Sequence, residues 1–104
     1  MSRLSRLFGS RKPVRKGPPE HAVIVHFLYG STNLQHVYAL EDLLRIAISE
    51  AAAGEYDSHE VADDGSDGFF YVYGPDAEVL FRVIRPVLAT FSFMRGATVT
   101  LVPR

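Results

Sequence analysis

The chain alternates between two kinds of apolar pattern, and that alternation limits the folds open to it more than any single motif does. HAVIVHFLY (21–29) is rich in β-branched and aromatic residues and apolar on nearly both faces, the pattern of a central strand. Gly30 to Asn33 form a turn cluster. VYALEDLLRIAISEAAAG then repeats apolar residues at Leu40, Leu43, Leu44, Ala47, Ile48 and Ala51, and spacings of three and four predict an amphipathic helix. Thr32 and Gln35 offer a capping box at its start, with a start nearer Tyr38 as the alternative, and Gly54 stands where a C-terminal stop is expected. Glu41 precedes Arg45 by four residues, the favoured order for an exposed ion pair.

The second half repeats the theme. EYDSHEVA alternates weakly and predicts a half-exposed strand; DDGSDG predicts a turn; FFYVY predicts a second strong strand, so the pair is a hairpin. Gly74 and Pro75 break it. Pro75 has the φ of a first helical position, and Asp76 and Glu78 complement a helix N-terminus. Ala77, Leu80, Phe81, Ile84, Val87 and Leu88 mark the buried face of that helix, and Pro86 inside it is expected to kink or loosen its last turn. In FSFMRG, Phe91 or Phe93 is expected to tuck under the domain, and Gly96 to turn the chain at positive φ. ATVTLV (97–102) is the last strand. The order β-α-β-β-α-β, with right-handed crossovers around a hairpin, predicts an α+β, ferredoxin-like sandwich: a four-stranded antiparallel sheet of order 4-1-3-2 with two helices on one face. The most apolar strands, the first and third, then become central, and the acidic second becomes an edge.

Charge divides the 104 residues unequally. Residues 1–20 carry six basic side chains against Glu20 alone, while residues 21–104 carry the other five against eleven acidic ones. The expectation is a basic, flexible tail (1–20) on one acidic domain (21–104). Pro13, Pro18, Pro19, Gly9 and Gly17 preclude a long helix in the tail, and its charge suits contact with acidic surfaces. There is no apolar h-region and no stretch near the roughly 18 apolar residues that span a bilayer, which gives the expectation of a cytoplasmic chain. The absence of cysteine removes disulfides, thiolate catalysis and cysteine-held metals.

From Gly54 onward the chain resembles a family of small uncharacterised bacterial ferredoxin-like proteins. The resemblance rests on Gly54-Glu55-Tyr56-Asp57 with Glu60, on the corner Tyr71-Val72-Tyr73-Gly74-Pro75-Asp76-Ala77, on Pro86-Val87-Leu88, and on Arg95-Gly96-Ala97-Thr98-Val99-Thr100-Leu101. It covers about half the chain and implies the same fold, with no activity attached.

Strand alternation assigns Val23, Val25, Phe27, Phe70, Val72, Val99 and Leu101 to the helix side. The opposite side then carries Ile24, His26, Leu28, Tyr56, Ser58, Glu60, Phe69, Tyr71, Tyr73, Thr98 and Thr100, an aromatic and partly polar surface that no helix covers. Open patches of this kind mark interfaces. The leading expectation is therefore a non-enzymatic interaction domain, self-associating or binding a protein partner through Ile24, His26, Phe69, Tyr71, Tyr73, Thr98 and Thr100. A Tyr71→Glu change is expected to break that contact and leave the fold intact. The first alternative is an immunity or inhibitor protein against a basic toxin, using Asp57, Asp63, Asp64 and Asp67. The second is an RNA-binding module, because DGFFYVYG resembles in part the third-strand signature of RNA-recognition motifs. Against it, Asp67 stands where that signature has a basic residue, and an acidic domain is repelled by every phosphate. Catalysis and metal binding lack a constellation: on a strand, His59 and Glu60 point to opposite faces, the four histidines are scattered, and turn chemistry accounts for the aspartates of DDGSD. No cofactor is expected.

Overall fold

The computed structural model describes residues 20–103. Residues 1–19 and Arg104 lie outside them, and with them the expectations about the basic tail. Strand β1 (His21–Leu28) leads to helix α1 (Gln35–Glu50), the hairpin β2 (Glu55–Val61) and β3 (Asp67–Gly74), helix α2 (Ala77–Leu88), a 3-10 turn (Ser92–Met94) and strand β4 (Thr98–Val102). The sheet is antiparallel throughout with order β2-β3-β1-β4, which is 4-1-3-2 read from the other edge. The ferredoxin-like α+β architecture is thus the one the element order dictates. Among the described residues no helix is long and apolar enough to cross a membrane.

The core lies between the sheet and the two helices. Val23, Val25 and Phe27 of β1 meet Val72, Phe70 and Gly68 of β3 in register. Those five apolar side chains, with Leu40 and Leu44 of α1 and Leu80 and Ile84 of α2, are almost completely excluded from solvent. Burial on this scale contributes roughly 1.5–3 kcal/mol per large side chain. Phe27 is the aromatic centre: its ring stacks on Phe70 at 4.9 Å and takes Phe93 edge-on at 5.4 Å. Phe93 also meets Tyr29 and Phe91, so both loop phenylalanines are half-buried rather than one.

The helix ends differ from expectation. α1 starts at Gln35, whose N–H is bonded by the Asn33 side chain at 3.1 Å, and Thr32 plays no part in the cap. Its C-terminus is closed by Ala52, at φ 50°, with bonds from Ala52 N–H to Ser49 O and from Ala53 N–H to Ile48 O, both 3.1 Å. Those two bonds form a Schellman motif. Gly54 lies beyond that closure: it too has a positive φ, 147°, and a Cβ there would lie 2.0 Å from the Tyr73 carbonyl oxygen, so only glycine lets the chain leaving the helix approach β3. α2 starts at Ala77, not Pro75. Asp76 is its N-cap and accepts from Glu78 N–H at 2.9 Å and Val79 N–H at 3.3 Å. His21 Nδ1 accepts from Ala77 N–H at 2.9 Å, tying the first residue of β1 to that helix N-terminus. α2 runs through Pro86 and stops two residues later, and Gly96 has the expected positive φ, 76°.

One departure in the sheet changes which side chains meet. β2 and β3 pair as Tyr56 with Val72 and then Ser58 with Tyr71, so Asp57 is the extra residue of a β-bulge. A bulge inverts the facing of everything on one side of it. Tyr56, expected on the open face, turns to the helix side, while Ser58 and Glu60 keep the open face opposite Tyr71 and Phe69.

Candidate functional site

The open face is built on β1 and β3. Ile24 pairs with Tyr71, and His26 with Phe69, across the central strands; Thr100 and Thr98 flank them on β4. Ile24, His26, Phe69 and Tyr73 are partly exposed, Thr98 and Thr100 are exposed, and Leu28 is 68% exposed at the end of the row. Two anchored side chains organise the polar part. Tyr71 donates from its hydroxyl to Glu60 Oε1 at 2.8 Å and stacks under Phe69 at 6.0 Å. His26 Nε2 lies 2.7 Å from Asp67 Oδ2, with Phe69 packed on its ring at 4.8 Å.

Two expected contact residues are corrected by burial. Tyr71 is 3% exposed, so it supports the face from below rather than offering itself to a partner, and a glutamate there would also sit against Glu60. Asp67 is 1% exposed and turned to His26, because as first residue of β3 it points its side chain across the sheet and not outward from the turn. It is therefore not part of an acidic contact surface. Asp63 and Asp64 are exposed and Asp57 is half-buried in the bulge. Asp64 accepts from Ser66 N–H at 2.9 Å, the turn role expected of it. Among the described residues no three His, Asp or Glu side chains are placed to hold a metal ion.

The bulge assembles a second constellation, on the helix side, that strand alternation missed. Tyr56 and His59 both face α1, and both hydrogen bond to one oxygen of Glu41: Tyr56 Oη donates to Oε2 at 2.7 Å, and His59 Nδ1 lies 2.6 Å from it. Arg45 lies over the Tyr56 ring at 5.0 Å and bridges to Asp42 at 3.3 Å, with its other nitrogen 3.8 Å from Glu41. Tyr38 meets the His59 ring edge-on at 5.8 Å. Glu41, expected on the surface, is thus almost buried. Burial pulls its carboxyl upward, but the bonds from Tyr56 and His59 and the charges of His59 and Arg45 outweigh that and hold it below the ordinary carboxylate range. Burial first, and then the bond to Glu41, push the Tyr56 phenol above its usual value. Glu41 is therefore an ionised acceptor and Tyr56 a neutral donor, a clasp between α1 and β2. A shallow cleft of about 610 Å³ opens beside it, lined in part by Arg45, Ser49, Gly54 and Tyr56.

No family model matches the sequence, and no curated protein matches it. In backbone the chain is similar to a solved protein, Rv0793 from Mycobacterium tuberculosis, with a TM-score of 0.54 over 83% of this chain and 95% of that one. At 16% identity, that likeness carries the fold and nothing finer.

Proposed function

We propose that the chain is a non-enzymatic interaction domain that associates with a second copy of itself through the open face of the sheet. The observation that carries this reading is the row of partly exposed apolar side chains, Ile24, Phe69 and Tyr73, with Leu28 beyond them. They lie on the face that no described element covers. Fully burying an exposed side chain of this size contributes roughly 1.5–3 kcal/mol; Ile24, Phe69 and Tyr73 have part of that still to gain, and covering the row works against the cost of association without a large excess.

The test is the mass in solution, by light scattering or sedimentation, of the wild type and of two variants. Phe69→Lys places a charge in the row but gives it Glu60 directly across the strand pair as a partner. Thr100→Glu changes an exposed position, where substitutions shift stability by only about 0.5 kcal/mol. The expected result is a dimer for the wild type and a folded monomer for both variants. A wild type that stays monomeric at high concentration overturns the reading.

A further inference from the structure

We propose that the cleft between the C-terminal half of α2, the 3-10 turn and the outer edge of β4 docks an extended peptide segment that carries an apolar anchor flanked by carboxylates. Three independent observations point to that occupant. The cleft measures about 540 Å³, and Phe81, Phe91, Met94 and Val99 are among the residues that line it. Sites of that size and lining take one apolar group and hold it by a few polar ones at the rim.

The polar groups at this rim are cationic. Residues 20–103 contain four basic side chains, Arg45, Arg82, Arg85 and Arg95, against twelve acidic ones. Two of the four, Arg85 and Arg95, line this cleft, and no Asp or Glu does. Both are exposed, and among the described residues neither has an ion-pair partner, whereas Arg45 bridges to Asp42 and Glu41. On an otherwise acidic domain, two exposed guanidinium groups beside an apolar floor select a ligand with carboxylates.

The third observation is the edge. Among the described residues β4 pairs only with β1, so the backbone N–H and C=O groups of its outer side face away from the sheet. Natural edges are guarded by charge, proline or a bulge. The other edge strand, β2, has such guards: Glu55, Asp57, Glu60 and the bulge. Thr98–Val102 reads TVTLV and has none. An added strand supplies the missing backbone partners, and its alternate side chains fall on the cleft side. The matching segment therefore has the form acid–x–apolar–x–acid, the apolar residue filling the cleft and the acids meeting Arg85 and Arg95. This surface is separate from the open face, so the proposal does not depend on self-association.

The experiment is selection of random nine-residue peptides, displayed on phage, against the full chain, followed by binding measurements with the synthetic winners. The expected outcome is enrichment of Asp or Glu two residues from an aliphatic or aromatic residue. The winners should bind an Arg85→Gln, Arg95→Gln double variant at least tenfold more weakly, bind Phe69→Lys unchanged, and slow amide exchange across residues 98–102. Both arginines are exposed, so the double variant keeps its fold, and a matching thermal transition verifies that. The proposal is overturned if no acidic–apolar class is enriched, if the double variant binds as well as the wild type, or if exchange in β4 is unaffected. It is likewise overturned if octanoate alone occupies the cleft, which would make this a small-molecule site, or if a second copy already protects the β4 edge.

Discussion

Ala52 holds a backbone conformation that an L-residue with a side chain adopts at a cost. Its φ of 50° closes the Schellman motif after α1, a position that usually goes to glycine. The left-handed conformation costs a Cβ-bearing residue about 1–2 kcal/mol, and the freer unfolded chain of a glycine returns part of that. Ala52→Gly is therefore expected to stabilise the fold by about 0.5–1 kcal/mol, read as a higher denaturation midpoint with unchanged slope. The sequence offered Gly54 as the stop because nothing in composition marks Ala52 as the left-handed residue, while Gly54, two residues on, is required for its own positive φ and its approach to β3. The Glu41 clasp makes a second prediction at this scale. Glu41 has its folded-state carboxyl lowered, so its contribution is complete above the ordinary value near 4.5 and is lost as pH falls below it. Tyr56 has its folded-state phenol raised, so its contribution is complete below about 10 and is lost as pH rises beyond that. Stability should fall at both ends of that window. Glu41→Gln should flatten the acid limb and Tyr56→Phe the alkaline one; parallel curves for wild type and variants would remove the clasp from the account.

At the scale of elements, most of the fold was legible because the core positions of β1 and α2 each follow one unbroken period. Val23, Val25 and Phe27 alternate on β1, and Ala77, Leu80, Ile84 and Leu88 recur on α2, and all of them are buried where the pattern put them. β2 was the element that misled. EYDSHEV looks like a regular strand, and nothing in its composition marks Asp57 as an extra residue. Read with strict alternation, Tyr56 and His59 fall on opposite faces; with the bulge they fall on one, and the clasp exists only for that reason. Glu41 was misplaced in consequence, since an acid at i and an arginine at i+4 read as a surface pair until a half-buried tyrosine supplies the hydrogen bond. Deleting Asp57 restores a regular ladder and forces a choice. Either Tyr56 leaves the helix side or the strand slips by one residue, which exchanges its faces. Loss of the Tyr56–Glu41 bond with Glu41 still buried costs about 1–3 kcal/mol. The deletion should lower the denaturation midpoint by at least that amount, and should abolish the alkaline limb assigned to Tyr56. A deletion variant as stable as the wild type would mean that the bulge is incidental.

For the molecule as a whole, the strand order decides where the structure opens first. β1 and β3 each have two strand neighbours and supply Val23, Val25, Phe27, Phe70 and Val72 to the core without exposure. β4 has one neighbour and five residues, and its inward side chains Val99 and Leu101 remain partly exposed. β2 also has one neighbour, but the clasp fastens it to α1. Local opening free energies follow buried contact, from near zero at frayed edges up to the global value in the centre. Native-state hydrogen exchange should therefore divide the sheet into three classes. Amides of β1 and β3 that bond within the sheet exchange only with global unfolding; those of β2 are intermediate; those of β4 exchange fastest. Breaking the clasp with Glu41→Gln should move β2 toward the β4 class and leave β1 and β3 tracking global stability. The same hierarchy bears on the β4 edge. A strand that opens readily and lacks guarding charges gains more order from an added neighbour than a fastened one does, so ligand-induced protection should be largest there. Equal protection of β2 and β4 in the free chain, or a β2 indifferent to Glu41→Gln, would show that neighbours in the sheet alone set the hierarchy and that the clasp contributes nothing to it.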